Sequence, residues 1–298
     1  MAGCFRPFFK RVNMSDDYKV PLPCGHCEYC RYKQAKTWRF RLVQELDSWQ
    51  NKALFVTLTY DNEHCPEGYN LKPSHLQGFF KRLRYYLSQK YGKEFRIRYY
   101  SCGEYGDRRG RPHYHAIIYN LTADDIPLLS KSWTFGMVRQ PVEVRGEGAI
   151  DYVAGYVQKK LGKQREHIDS YGGRYPFFAR MSKGLGLKLI EKLDRFTPFV
   201  YVGSKIQFLG RYLTTKLAEK FGVLDEYKRL AFDAFYNKFV EIYERSGYFD
   251  NHFGYAYANV QSAESRAYDD YNLQFMRDFM ARSKIYTKSR RLDEKIEV

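Results

Sequence analysis

The chain has 298 residues and is basic, with 50 Lys and Arg against 34 Asp and Glu and a formal charge of +16 at pH 7. Its hydrophobic content of 44% excludes a disordered chain, and the lack of any uncharged run of about 18 residues excludes a membrane-spanning helix. The charge excess predicts a polyanionic partner, nucleic acid first, and 28 tyrosines and 22 phenylalanines offer faces on which unpaired bases can stack.

Met1–Lys10 offers neither a long apolar core nor a small-residue cleavage site, so no secretion signal is read. In that setting the six cysteines are expected to be thiols or metal ligands in a reducing cytoplasm. Cys4, Cys24, Cys27 and Cys30 surround His26 in an opening element that precedes a basic helix over Tyr32–Trp49. Leu54–Tyr60, rich in β-branched and aromatic residues, reads as the first sheet strand. Pro73 and Ser74 open an amphipathic helix to Tyr91, with Leu76, Phe79, Phe80, Leu83 and Leu87 at helical spacing. Phe95–Cys102 and Pro112–Tyr119 alternate as two strands of a hairpin, with Gly103–Arg111 as its turn. A short helix over Ala123–Lys131, a strand over Met137–Val144 and a helix over 148–161 follow. Beyond Phe221 helical spacing recurs to Tyr243 and again over Ser262–Ser283.

This order predicts an α+β fold with a mainly antiparallel central sheet flanked by helices. The expected division is a Cys-rich element with its basic helix over 1–50, a catalytic core over 51–220 and a helical C-terminal region over 221–298.

The sharpest chemical signal is Glu104 with His113 and His115. Histidines two apart on a strand project from one face, and the hairpin brings Glu104 back across from them. Two imidazoles and one carboxylate leave coordination positions open for water or substrate and suit Mn²⁺ or Mg²⁺. The bland alternative is two histidines decorating a strand on either side of Tyr114.

Tyr152 and Tyr156 stand at i and i+4 on a predicted helix, about 40° apart around its axis, with Lys159 and Lys160 one turn on. A phenol with a reference pKa of about 10 needs nearby positive charge to act as a nucleophile, which the lysines and a metal supply. Such a pair is also ordinary helix packing.

The cysteine cluster is compatible with structural Zn²⁺, with His26 as a spare ligand, with an iron–sulfur cluster, or with unligated buried thiols. Thr57 and Thr59 share a strand face and either meet a phosphate or pack beneath the site. Arg180 and Lys183, in the basic stretch Arg174–Lys188, either hold a DNA backbone or belong to a solvated loop. Cys102 reads as a packed thiol.

Taken in order, Thr57-Leu58-Thr59-Tyr60, then Gly103-Glu104-Tyr105-Gly106 leading to Gly110-Arg111-Pro112-His113-Tyr114-His115, then Tyr152 to Lys160, resemble the motifs of rolling-circle replication initiators of the His-hydrophobic-His class. The resemblance is closest to initiators of the small single-stranded DNA phages of the Microviridae, gokushovirus type, and covers about Pro23–Lys160. It implies a metal-dependent endonuclease in which Tyr152 and Tyr156 alternate as nucleophiles on single-stranded DNA at a phage origin, each cut leaving a 5′-phosphotyrosine. It further implies host helicase and polymerase as partners and the cytoplasm of the host bacterium as the place of action. The rival reading from composition is a non-catalytic single-stranded DNA-binding protein.

Overall fold

The computed structural model describes residues 4, 8–10, 20–25, 27–106, 110–145, 148, 150–151 and 173–233. These fall into two compact units, one within Arg31–Gly222 and one drawn from Met1–Cys30 and from Val223 onward. In the second unit β1 (Phe8–Lys10) and β2 (Val20–Leu22) pair antiparallel. Helix α1 (Glu28–Ser48) follows.

The unit within Arg31–Gly222 is organised by an antiparallel sheet of β3 (Ala53–Tyr60), β4 (Arg98–Tyr105), β5 (Pro112–Tyr119), β6 (Gly136–Glu143) and β7 (Phe178–Met181). The strand order is β6-β3-β5-β4-β7, so the histidine strand β5 is central. Period-two alternation decides what each face buries. Leu54, Val56, Leu58, Tyr114, Ala116 and Ile118 face α2 (Pro73–Tyr91), whose Leu76, Phe79, Phe80, Leu83 and Leu87 complete that core with Trp133. Each such side chain contributes about 1.5–3 kcal/mol when fully buried. Pro73 at the first turn starts α2, and Gly92, at φ +96°, ends it. Helix α3 (Ile126–Ser132) packs against α2.

On the opposite face Ala53, Tyr100, Cys102, Ile117 and Tyr119 meet Leu42 and Leu46 of α1, together with Val144, Ile150 and Leu185. The architecture is the α+β class expected, an antiparallel sheet with helices on both faces. Downstream lie α4 (Lys188–Glu191), the hairpin β8 (Phe199–Val202) with β9 (Lys205–Phe208), and α5 (Gly210–Lys220). Leu213 and Leu217 of α5 pack on Ile190 and Phe40.

Two elements depart from expectation in a way that bears on function. The strand expected over Phe95–Cys102 lies three residues later. Phe95 stacks on Tyr91, with ring centroids 4.5 Å apart, in the turn after α2, and the ladder with β5 runs on to Tyr105 opposite Pro112. Gly103 and Glu104 are therefore strand residues, not turn residues. A glycine is required at 103 because a Cβ there would come within 2.7 Å of the Phe178 ring. The second departure is Arg174–Lys188, read as a loop, which contains the edge strand β7 paired with β4.

Residues 224–233 are helical, consistent with the helix expected past Phe221, while its continuation and the stretch 262–283 lie outside the described residues. No helix among the described residues is long and apolar enough to cross a membrane.

Candidate metal centre

In the β4–β5 ladder Glu104 stands directly opposite His113, and Cys102 opposite His115. In the β3–β5 ladder Thr59 stands opposite His113 and Thr57 opposite His115. All six therefore share one face, and the backbone alone brings Glu104 between the imidazoles. Its Oε1 lies 2.8 Å from His113 Nε2 and 3.0 Å from His115 Nε2. Glu104 is 3% exposed and His115 8%, while His113 is half-buried.

The outer ring nitrogens are also engaged. His113 Nδ1 lies 3.2 Å from the Arg111 carbonyl, and His115 Nδ1 lies 2.9 Å from Thr57 Oγ1. The Phe55 ring stacks on His115 with centroids 5.6 Å apart. A carbonyl only accepts, so the Arg111 contact is favourable when Nδ1 of His113 carries a hydrogen. In a neutral imidazole Nε2 then presents a lone pair to a carboxylate oxygen. The opposite tautomer moves the same repulsion to Nδ1. A cation between Nε2 and Oε1 removes the conflict, as does a second proton on the ring. Two imidazole nitrogens and a carboxylate oxygen, one from each residue and all within 4.8 Å of one another, thus fit a divalent ion bound by nitrogen and oxygen donors.

The electrostatics agree. Burial alone would raise the Glu104 carboxyl, but hydrogen bonds from His113 and His115, with their charge, outweigh it and hold the carboxyl at about 2. Tyr114, between the two histidines in sequence, points into the opposite core. There it meets Tyr60 at 2.7 Å between hydroxyls, and burial pushes both phenols up, so neither is a nucleophile for this centre.

Thr59 donates to the Met137 carbonyl at 3.2 Å. Arg180 is exposed and shares the strand face of Phe178, which belongs to the core opposite the histidines, so the structure does not bring it to Glu104. Lys183 is an exposed turn residue whose carbonyl accepts from Arg98. Tyr152, Tyr156, Lys159 and Lys160 lie outside the described residues. The residues just before them are anchored on the histidine side of the sheet. Gly148, Ile150 and Asp151 are helical, Ile150 is buried beside Cys102 and Leu42, and Asp151 pairs with Arg39 of α1. Cys102 is buried, as read.

Sequence reasoning missed the Thr57–His115 contact, although their alternation on two strands was visible. It also missed Arg139, an exposed cation on β6 opposite Thr57 and so on the histidine face. The paired Met137–Val144 alternation carried that signal.

The family model for the replication-associated protein ORF2 matches residues 53–161, the stretch that holds Glu104, His113 and His115. The chain is 34% identical over 163 residues to the replication-associated protein ORF4 of Chlamydia phage 1, covering 48% of this chain and 39% of that protein. It is 33% identical over 207 residues to the replication-associated protein ORF2 of Spiroplasma virus 4, covering 62% of each. These two matches thus span less than two thirds of either relative. A third, at 32% over 232 residues, is to the replication-associated protein VP4 of Bdellovibrio phage phiMH2K and covers 65% of this chain and 69% of the relative. No solved structure matches. With that share of a relative aligned over the sheet and its histidine strand, the chain belongs to the family of phage replication-associated proteins.

Proposed function

We infer that the protein initiates phage DNA replication by nicking single-stranded DNA at an origin, through attack of Tyr152 or Tyr156 on a backbone phosphate. The observation that carries this reading is the convergence of His113 Nε2, His115 Nε2 and Glu104 Oε1 on one sheet face, the face on which Ile150, two residues before Tyr152, is anchored. Glu104, His113 and His115 would hold Mn²⁺ or Mg²⁺. When bound, such an ion withdraws charge from a non-bridging oxygen of the scissile phosphate.

The protein's own groups do the rest. The phenol oxygen of the tyrosine attacks phosphorus, the bond from phosphorus to the 3′ oxygen breaks, and that oxygen takes up a proton. The products are a 5′-phosphotyrosine and a free 3′-hydroxyl. Lys159 and Lys160 favour the phenolate by charge, and Arg139 offers a phosphate contact on the same face. Attack by the second tyrosine or by the 3′-hydroxyl reverses the linkage and rejoins ends, without energy input. Host helicase and polymerase then act on the opened strand in the host cytoplasm.

Cleavage of end-labelled single-stranded origin DNA, with Mn²⁺ or with a chelator, tests this. Metal-dependent cutting at one position is expected. Tight binding without cutting on any origin fragment would instead favour a single-stranded DNA-binding protein, the reading supported by charge and aromatic content alone.

A further inference from the structure

Cys4, Cys24, Cys27 and Cys30 take no part in that reaction, yet their four Sγ atoms all lie within 4.8 Å of one another. Cys4, Cys27 and Cys30 are buried, and the cluster gathers only Cys24 and Tyr29 around it. Distances separate the readings left open by sequence. With Zn–S bonds of about 2.3 Å, sulfurs at the corners of a tetrahedron stand about 3.8 Å apart, and Cys27 Sγ lies 3.8 Å from Cys4 Sγ. That is far beyond the ~2.05 Å of a disulfide. A four-iron cluster would place a cube of iron and sulfide between the ligands and force them wider than this arrangement.

The backbone is shaped for sulfur that carries negative charge. The Cys24 N–H donates to Cys4 Sγ at 3.1 Å and the Cys27 N–H to Cys24 Sγ at 3.2 Å. Gly25, at φ +79°, turns the loop back between the first two cysteines of the C-x₂-C-x₂-C run, a conformation that favours glycine. Cys30 falls in the first turn of α1, where backbone N–H groups favour a thiolate. The described secondary structure of this segment before α1 is a pair of three-residue strands. So small an element does not hold itself together by apolar burial and calls for a staple.

We propose that Cys4, Cys24, Cys27 and Cys30 hold a structural zinc ion in a closed four-thiolate site, distinct from the Glu104 centre, and that this ion folds the N-terminal segment. A closed site has no position for substrate, so its role is to fix structure.

The test is metal analysis of the full chain expressed with both zinc and iron in the medium. One zinc per chain is expected in wild type and in the His113→Ala/His115→Ala double variant, and its loss in Cys24→Ser/Cys27→Ser. Because the serine variant is prone to misfold, wild type is also reconstituted with Co²⁺ alone. Strong sulfur-to-cobalt charge transfer with the intense visible bands of a tetrahedral ion is expected. Stoichiometric iron, no bound metal in wild type, zinc lost with the histidines but kept without the cysteines, or a weakly absorbing octahedral cobalt spectrum would each overturn the proposal.

Discussion

Thr57 Oγ1 lies 2.9 Å from Nδ1 of His115, directly across the β3–β5 ladder. When Nε2 of His115 gives its lone pair to a metal, Nδ1 carries the hydrogen and donates it to this hydroxyl, which fixes the ring plane. Thr57→Val keeps the shape and removes the acceptor. Calorimetric titration with Mn²⁺ should show affinity reduced about 10–100-fold with little change in Tm. Unaltered affinity would show that the ring is oriented by packing on Phe55 alone.

Glu104 supplies a pH signature of the metal-free protein. Its folded carboxyl sits at about 2 against an ordinary 4.5. A lowered value means stability that is full above about pH 4.5 and lost as pH falls towards 2, on the order of 1–3 kcal/mol. Urea unfolding from pH 7 to pH 3 should show a steeper acid loss in wild type than in Glu104→Gln. Parallel curves for the two proteins would mean that the carboxylate is not held by the imidazoles.

Tyr114 should separate fold from chemistry. Its buried hydroxyl donates to the Lys72 carbonyl at 3.0 Å, receives the Lys72 N–H at 3.0 Å and meets Tyr60. Tyr114→Phe leaves buried partners unsatisfied and should cost about 1–3 kcal/mol in thermal or urea unfolding. Mn²⁺ affinity at a temperature where the variant is folded should stay within about threefold of wild type, well short of the 10–100-fold of a lost orienting contact. A collapse of metal binding at that temperature would show that the two faces of β5 are coupled.

What the sequence revealed follows the strength of its periodic signals. Leu54–Tyr60, Pro73–Tyr91 and Pro112–Tyr119 were legible because each repeats its own period long enough to outvote its neighbours. The same alternation put His113 and His115 on one face. Glu104 was legible as a ligand but not as a strand residue, because Gly103 and Gly106 read as turn chemistry while the ladder to β5 and the Phe178 ring decide otherwise. Four-residue β7 was hidden among glycines and basic residues, since its pairing depends on the free edge of β4 and not on its own pattern. The β8–β9 hairpin did carry a local signal, Gly203-Ser204 between two short alternating runs. The placement of Arg180 away from the histidines is a consequence of strand order, which no local pattern encodes.

The most direct test of tyrosine attack at the Glu104, His113 and His115 centre is the covalent product. Wild-type protein, Tyr152→Phe, Tyr156→Phe, the double tyrosine variant and His113→Ala are incubated with single-stranded origin DNA labelled on the 3′ side of the cut and Mn²⁺, then separated on a denaturing gel. Protein should carry label in wild type and in at least one single tyrosine variant. It should carry none in the double variant or in His113→Ala. Label that persists in the double tyrosine variant, or that forms equally well in His113→Ala, would contradict metal-assisted attack by these tyrosines.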